Sequence, residues 1–125
     1  MLLLLPIPAR SDDSSQPSTA AAFSHGGHFA EKDGAALYAA VCQDCHMADG
    51  KGAAGAGRYP SLAGNPKLEA AGYPLTLVLH GQGGMPPVGH LMNDAQVAAV
   101  VNYVRTHFGN GYVDLVKVED VKAVR

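Results

Sequence analysis

The chain has 125 residues, with eleven acidic and nine basic side chains that leave a formal net charge of −2 at pH 7. This length suits one domain, and the near-balance of charge argues against a nucleic-acid-binding surface. Tryptophan is absent and there are only five tyrosines and three phenylalanines, so apolar side chains alone would make a thin core.

The segment 1–30 combines a short apolar run with a polar stretch. Leu2–Ile7 is far too short to cross a bilayer and resembles the apolar region of a secretion signal. Ala20–Ala22 offers small residues of the cleavage type, but the basic residues that normally precede the apolar run are missing. The Ser, Asp, Gln and Pro residues of Arg10–Thr19 indicate a solvated linker. We therefore predict that residues 1–30 form a degenerate or truncated secretion leader and a disordered linker, without a transmembrane segment.

The next segment, Glu31–Val41, has a helical pattern. Its acidic residues lie at the start, where they complement the positive end of the helix dipole. Leu37, Tyr38 and Val41 recur at spacings of three and four residues, as on one face of a helix. We predict a helix over this range that runs directly into the sequence CQDCH.

The sequence CQDCH contains both cysteines of the chain, Cys42 and Cys45, followed by His46. A zinc site would have to recruit a further, distant histidine. A redox disulfide would use Cys-x-x-Cys alone, normally within a βαβ pattern that is not evident here, and would not need His46. Covalent haem attachment uses all three residues, with two thioethers from the cysteines and an imidazole nitrogen on the iron. The haem interpretation is favoured, and a large apolar cofactor would also fill the thin core.

Short elements follow the CQDCH sequence. The stretch 48–63 is rich in Gly and Pro, which predicts an irregular loop. Pro66–Ala71 and Leu75–His80 are predicted as short helices, the second ended by the glycines within 81–84. No alternating run is long enough to predict a strand, so every periodic segment of the chain is helical.

The clearest predicted element is the helix Asp94–Phe108. Asn93 is a good N-cap, Gln96 stands three residues later as its capping-box partner, and valines follow at helical spacing. The residues 110–125 are predicted as an extended tail that ends in one helical turn from Glu119. There are no internal repeats.

A second axial ligand for a haem iron is best supplied by Met85, in the sequence GQGGMPP. The glycines allow the backbone to approach a flat cofactor, and the two prolines exclude helix and stiffen the segment. Met47 is adjacent to His46 and cannot reach the opposite face of the iron. Met92 precedes the capped helix, where an apolar residue has an ordinary packing role.

Histidines other than His46 are weaker candidates for that second position. They lie in loops, at helix ends where the dipole favours an imidazole, or in the N-terminal segment. They are His25, His28, His80, His90 and His107. We therefore predict His46 and Met85 as the two axial ligands.

From Asp33 to about Gly109 the chain resembles the class I c-type cytochromes. The motifs that carry the resemblance are Gly34-x-x-x-Tyr38, Cys42-x-x-Cys45-His46, Pro60-x-Leu62-x-Gly64, and Met85-Pro86-Pro87 followed by DAQVAAVVNYVRTHFG. The attachment motif and the methionine segment together are highly specific. The resemblance implies an all-α fold of the class I cytochrome c type. In this fold the N- and C-terminal helices cross, and short helices and loops wrap around one covalently bound haem c. The cytochrome domain would be 31–109 and the tail 110–125.

The resemblance also implies roles for further residues. The carbonyl of Pro60 would accept a hydrogen bond from the ring N–H of His46, which fixes the imidazole and raises its basicity. Two residues of the first helix would meet two of the last: Gly34 and Tyr38 against Val100 and Tyr103. Three apolar side chains would line the haem pocket: Leu62, Leu77 and Val78. Two polar side chains would reach the haem propionates: Arg58 and Tyr59.

More narrowly, the segment from Leu75 to Arg125 is similar to small cytochrome subunits or domains that serve periplasmic dehydrogenases. This similarity implies a periplasmic one-electron carrier that is not itself an enzyme. It would accept electrons from a dehydrogenase and pass them to another cytochrome or a terminal oxidase. The alternative is a haem enzyme or gas sensor, in which Met85 does not bind and one axial site stays open.

Overall fold

A computed structural model describes residues 28–55 and 57–125, so almost all of the predicted leader and linker lies outside the described residues. The described part of the chain is mostly helical, and its segments follow in this order. They are α1 (Gly34–Leu37), a π-helical segment (Tyr38–Cys42), α2 (Gln43–His46), β1 (Ala53–Ala54), β2 (Arg58–Tyr59), a 3₁₀ segment (Pro66–Leu68), α3 (Gly72–His80), a second 3₁₀ segment (Val88–Leu91), α4 (Asp94–Thr106) and α5 (Val118–Val124).

The first three helical segments follow one another without a break and form a single N-terminal helix, residues 34–46. The helix begins at Gly34 rather than at the predicted Glu31, because the Asp33 side chain caps it by accepting a hydrogen bond from the Ala36 amide at 2.8 Å. It ends after His46, so the prediction that the first helix runs into CQDCH is confirmed.

The N-terminal helix crosses α4 at very short range. A Cβ atom added to Gly34 would lie 2.6 Å from Tyr103 Cβ and would overlap the Ala99 carbonyl oxygen. One turn further on, the rings of Tyr38 and Tyr103 have centroids 5.6 Å apart. The predicted crossing is therefore confirmed, and Ala99 and Tyr103 are the residues of α4 that approach Gly34 most closely.

The loop 48–63 contains an antiparallel pair that the sequence did not predict. Ala53 of β1 is opposite Tyr59 of β2, and Ala54 is opposite Arg58. Each strand has two residues, too few for an alternating pattern to be recognised in the sequence. The prediction that no strand occurs is wrong at this pair.

The elements between the loop and α4 have different bounds from the predicted ones. The segment that starts at Pro66 is 3₁₀ and ends at Leu68, short of the predicted Ala71. The helix α3 begins at Gly72, three residues before the predicted start. Pro74 does not prevent this, because the first turn of a helix leaves its N–H groups without intrahelical partners.

The helix α4 begins as predicted. Asn93 accepts a hydrogen bond from the Gln96 amide at 2.8 Å, and the Gln96 side chain accepts one from the Asn93 amide at 2.8 Å. The helix ends at Thr106, two residues before the predicted Phe108. Phe108 and Gly109 have φ values of 57° and 78°, so the backbone turns away there.

The core lies between the N-terminal helix, α3, α4 and the tail. Met92 and Val97, at the N′ and N4 positions of α4, are both buried in it, which confirms the packing role predicted for Met92. The buried apolar residues of this cluster are Leu37, Tyr38, Leu75, Val78, Leu79, Met92, Val97, Ala98, Val100, Val101, Val104, Val116 and Val121.

A buried arginine joins the tail to the rest of the domain. Arg105 of α4 is 0% exposed, and its guanidinium donates to the carbonyl oxygens of Leu68 at 2.8 Å and Glu69 at 2.7 Å. It also donates to the carbonyl of Asp114 and, at 2.7 Å, to the Asp114 carboxylate. Because a buried charge must be paired and hydrogen-bonded, these acceptors fix two loops to one side chain.

The tail, residues 110–125, covers the domain. The Asn102 side chain accepts from the Val116 amide at 2.8 Å and donates to the Val116 carbonyl at 2.9 Å. Val116 and Val121 are buried in the core, and α5 packs on α3 and α4. The predicted single turn at Glu119 is therefore a seven-residue helix, because burial of Val121 stabilises it.

Replacing Gly34 by alanine tests the helix crossing. Since the added Cβ would meet backbone of α4, we expect Gly34→Ala to lower the free energy of unfolding by about 1–3 kcal/mol. Denaturant unfolding would measure the loss. Gly72→Ala is the matched control, because a Cβ at Gly72 meets nothing within 4 Å and alanine favours helix. Equal effects of the two substitutions would contradict the close crossing.

The Arg105–Asp114 pair predicts a dependence of stability on pH. The hydrogen bond from Arg105 lowers the pKa of the Asp114 carboxyl from its ordinary value of 3.8. A lowered pKa in the folded state means that the pair stabilises the fold above about pH 4 and that this contribution is lost as the pH falls further. We expect Asp114→Asn to unfold more easily than the parent at pH 6 and to show a shallower loss of stability on acidification. Identical pH profiles in denaturant titrations would count against the pair.

Candidate functional site

A cavity with two adjoining lobes lies between the N-terminal helix, the segment 58–62, α3 and the turn before the second 3₁₀ segment. The lobes have volumes of about 190 and 400 Å³, and ligand sites typically measure about 300–1,000 Å³. The residues that line both lobes are Cys42, His46, Pro60, Lys67, Tyr73, Leu77 and Met85. The predicted attachment motif and the predicted methionine therefore share one cavity.

His46 lies at the end of α2 and is 9% exposed. Its Nδ1 is 2.8 Å from the carbonyl oxygen of Pro60. A carbonyl oxygen only accepts, so Nδ1 must carry the proton and Nε2 is left as the basic nitrogen. The hydrogen bond expected between these two residues is present, and it selects the tautomer that could bind a metal through Nε2.

Gly50 and Gly52 determine the backbone path that brings Pro60 to His46. The amides of Leu62 and Ala63 both donate to the Gly50 carbonyl, at 2.6 and 3.1 Å, so the two arms of the loop are tied together. Gly52 has a φ of 68°, and a Cβ on it would overlap the Tyr59 carbonyl oxygen and lie 2.8 Å from the Pro60 carbonyl carbon. Only glycine at position 52 therefore allows the chain to pass so close to Pro60.

The two cysteines form no disulfide and are partly buried. Cys42 lines both lobes and Cys45 lines the larger one. Burial, with a smaller effect of Cys45, raises the pKa of the Cys42 thiol to about 12. A thiol with so high a pKa stays protonated at neutral pH. Within residues 28–55 and 57–125, no three His, Cys, Asp or Glu side chains are grouped so that they could hold a metal ion.

Met85 lies on a stiff turn, residues 81–88, which we call the methionine strap. Gly81 ends α3 with a φ of 70°, and its amide donates to the Leu77 carbonyl at 2.8 Å. Gln82 and Met85 then exchange two backbone hydrogen bonds, each of 3.0 Å. A Cβ on Gly81 would come within 2.6 Å of the Met85 carbonyl oxygen, so only glycine fits at this end of the strap.

The strap then returns to α3. After Pro86 and Pro87 the chain enters the second 3₁₀ segment, where Gly89 lies against α3. A Cβ on Gly89 would be 2.9 Å from the Val78 carbonyl oxygen. Both ends of the strap are thus in contact with α3, and Met85 projects from the middle of the strap into the cavity.

The other residues predicted for the site also line the cavity. Leu62 and Val78 line the smaller lobe, Leu77 lines both, and Arg58 and Tyr59 line the larger lobe. Sequence reasoning missed Lys67 and Tyr73, which line both lobes. Neither residue belongs to a motif. Lys67 lies in the first 3₁₀ segment and Tyr73 in α3, and the short connection between these two elements brings both side chains to the cavity.

The remaining candidate ligands lie elsewhere. His80 donates from Nε2 to the Val124 carbonyl at 2.8 Å, and the His107 ring stacks on Tyr103 with centroids 4.1 Å apart. Met92 is buried in the core. His28, His90 and Met47 line neither lobe, and His25 lies outside the described residues.

The residues of the cavity fit a covalently held haem. They supply two thiols at the attachment spacing, an imidazole with a basic Nε2, and a thioether on a stiff turn. The walls of the cavity are mainly apolar, and among the described residues that line it the charged side chains are those of Arg58 and Lys67. A flat apolar macrocycle with two anionic propionates has the complementary chemistry.

Replacing Gly52 by alanine tests the contact between Pro60 and His46. We expect Gly52→Ala to displace the Pro60 carbonyl and to cost about 1–3 kcal/mol, because the new Cβ overlaps backbone. In the haem-loaded protein, the NMR signal of the His46 Nδ1 proton should shift and exchange faster with solvent. Gly55→Ala is the control, since a Cβ at Gly55 meets nothing within 4 Å. An unchanged Nδ1 signal in Gly52→Ala would refute the proposed role of Gly52.

Comparisons with known proteins give one matching family model and several similar proteins. Residues 29–104 match the family model described as cytochrome c oxidase, cbb3-type, subunit III. The chain is 38% identical over 108 residues to the fructose dehydrogenase cytochrome subunit of Gluconobacter japonicus, covering 74% of this chain and 22% of that protein. It is 36% identical over 107 residues to the gluconate 2-dehydrogenase cytochrome c subunit of Pantoea cypripedii, covering 74% and 24%. It is 32% identical over 132 residues to the cytochrome c subunit of the quinone alcohol dehydrogenase of Gluconacetobacter polyoxogenes, covering 94% and 27%. The chain thus spans about a quarter of the length of these relatives.

Proposed function

The chain belongs to the c-type cytochrome family described as cytochrome c oxidase, cbb3-type, subunit III, and from this premise we propose that it is a periplasmic carrier of single electrons. The observation that carries the proposal is the cavity in which Cys42, Cys45, His46 and Met85 meet. The crossing of the N-terminal helix and α4 beside this cavity supports a class I cytochrome c fold. As an electron-transfer component, the protein is not itself a catalytic enzyme.

We assign the residues of the cavity as follows. Cys42 and Cys45 would hold one haem c through two thioethers, with His46 Nε2 on one axial side and the Met85 thioether on the other. The bound haem would supply a single redox step between iron(III) and iron(II). If His46 and Met85 both bound the iron, no position would be left for a substrate, and this favours electron transfer over catalysis.

The surrounding residues tune this site. The Pro60 carbonyl, which accepts from His46 Nδ1, fixes the imidazole ring and raises its basicity. Leu62, Leu77 and Val78 give the smaller lobe an apolar wall, which would disfavour additional positive charge on a bound haem iron. The soft thioether of Met85 would also favour iron(II) over iron(III).

Arg58 and Lys67 are placed to bind the propionates. They are the charged side chains that line the cavity, and both are exposed to solvent. An exposed cation can neutralise a carboxylate at the rim without burying either charge, which avoids the desolvation cost of an interior ion pair. Tyr59 and Tyr73, each about two-fifths exposed, can donate to the same groups.

The partner we propose is a periplasmic dehydrogenase, with another cytochrome or a terminal oxidase as acceptor. The support is the similarity to cytochrome subunits of fructose, gluconate and alcohol dehydrogenases. In the described part of the chain, no helix has the length and apolar character needed to cross a bilayer. Electrons would enter and leave through the exposed rim of the cavity.

Replacing Met85 by alanine tests the electron-carrier proposal against a haem protein with an open axial site. In the haem-loaded parent, we expect the weak far-red band of a methionine–iron(III) bond and no carbon monoxide binding. Met85→Ala should lose the band, become high-spin and bind carbon monoxide, and its reduction potential should fall. Met92→Leu is the control, because Met92 is buried in the core and outside the cavity. A parent without the far-red band, or an unchanged spectrum in Met85→Ala, would overturn the axial assignment.

Mixing the haem-loaded protein with purified catalytic subunits of fructose, gluconate and alcohol dehydrogenases tests the partner. We expect the haem to be reduced when the substrate of a productive partner is added, and not when either the dehydrogenase or the substrate is omitted. Stopped-flow absorbance would follow the reduction. The dehydrogenase proposal fails if none of the three reduces the haem while a chemical reductant does.

A further inference from the structure

The two ends of the methionine strap are held by the same helix, α5. At the first end, His80 donates from Nε2 to the Val124 carbonyl at 2.8 Å. At the second end, the Arg125 guanidinium donates to the carbonyls of Gly89 at 3.2 Å and Met92 at 3.1 Å. Arg125 also pairs with the Asp94 carboxylate through Nε at 2.8 Å. The residues just before and after the strap are thus bonded to Val124, the last residue of α5, and to Arg125, which directly follows it.

The helix α5 is itself firmly attached. Val121 is 0% exposed and belongs to the core, and Val124 packs against it. Asn102 holds Val116, two residues before α5 begins, through both its amide and its carbonyl. Because α5 packs on α3 and α4, its position does not depend on the strap. The helix can therefore fix the ends of the strap.

The strap makes few backbone hydrogen bonds within itself. Between Gly81 and Val88, its internal backbone hydrogen bonds are the two between Gln82 and Met85 and the one from the Val88 amide to the Pro86 carbonyl. Five of its eight residues are glycine or proline, and Met85 and Val88 are the strap residues that pack against the core. Where the Met85 side chain lies is therefore decided mainly by how the two ends of the strap are held.

We propose that α5 positions the methionine strap through Arg125 and His80, so that these two side chains determine how firmly Met85 occupies the cavity. The inference rests on the proposed function, in which Met85 is an axial ligand. Arg125 and His80 are positioning residues, since neither lines the cavity.

The guanidinium of Arg125 is suited to this task. Its planar fork reaches two carbonyls and one carboxylate at once, which a lysine ammonium could not match with the same geometry. The Arg125 side chain is 35% exposed and that of Asp94 23%, so the ion pair is partly screened and the two carbonyl bonds at the end of the strap carry the positioning. Without them, Gly89 and Met92 lose a shared anchor to α5.

The test uses the haem-loaded full chain and the variant Arg125→Ala. We expect the far-red band to weaken and the fraction of ferrous protein that binds carbon monoxide to rise about tenfold, as loss of charge-assisted hydrogen bonds shifts the methionine-on and methionine-off equilibrium. Lys122→Ala is the charge control, because Lys122 is an exposed residue of α5 and the hydrogen bonds to the ends of the strap are made by Val124 and Arg125. Asp33→Ala is the stability control, because it removes a helix cap on another element.

The outcomes separate the two proposals. A parent protein without the far-red band overturns the axial assignment of Met85, and the present inference with it. A parent with the band, together with an Arg125→Ala variant whose band and carbon monoxide binding match the parent, overturns the positioning role alone. An effect of equal size in Asp33→Ala, at the same loss of stability, also overturns it.

His80 provides a second, independent pair of variants if Arg125→Ala does not fold. His80→Gln keeps a side-chain amide that can donate to the Val124 carbonyl, whereas His80→Leu cannot donate. We expect carbon monoxide binding to rise in His80→Leu and to stay near the parent in His80→Gln. Equal spectra and equal carbon monoxide binding in the two variants would refute the role of His80.

Discussion

The hydrogen bond from His46 to the Pro60 carbonyl is the constraint on which the rest of the site depends. It requires the end of the N-terminal helix to meet a loop whose path is set by Gly50 and Gly52. Because this single contact fixes both the ring orientation and the tautomer of His46, it defines which nitrogen faces the cavity. The loop that supplies the carbonyl also carries Leu62 and Arg58, so the same backbone path determines the apolar wall and one of the cations at the rim.

Two further groups of contacts hold together the elements that surround the cavity. Arg105 joins the 3₁₀ segment and the tail to α4, and Gly34 lets the N-terminal helix approach α4 at backbone distance. The cavity therefore has walls on elements that are tied to one another, although the apolar core is small. A covalently held cofactor would add its own contacts to this framework, as expected for a chain with few aromatic residues.

Local signals explain which features the sequence could predict. CQDCH, the glycine–proline setting of Met85 and the capping box at Asn93 are each contained in a few consecutive residues. The capping box is present as predicted, and the structure brings Cys42, Cys45, His46 and Met85 to one cavity. The Arg105 contacts could not be predicted, since their acceptors lie up to 37 positions away along the chain. Lys67 and Tyr73 reach the cavity through tertiary packing alone. The length of α5 was underestimated because its stability comes from burial of Val121 and not from a local pattern.

The stiffness of the methionine strap has a consequence for the speed of electron transfer. A ligand on a turn closed by reciprocal hydrogen bonds and followed by two prolines has little freedom to move when the charge of the site changes. With a haem bound there, such a pre-organised turn would keep nearly the same geometry in both redox states, so little energy would be spent on rearranging the protein around each electron. The reorganisation that remains falls on water at the exposed rim, near Arg58 and Lys67. Electron exchange at that rim would then be governed by the partner's approach and by hydration more than by motion of the fold.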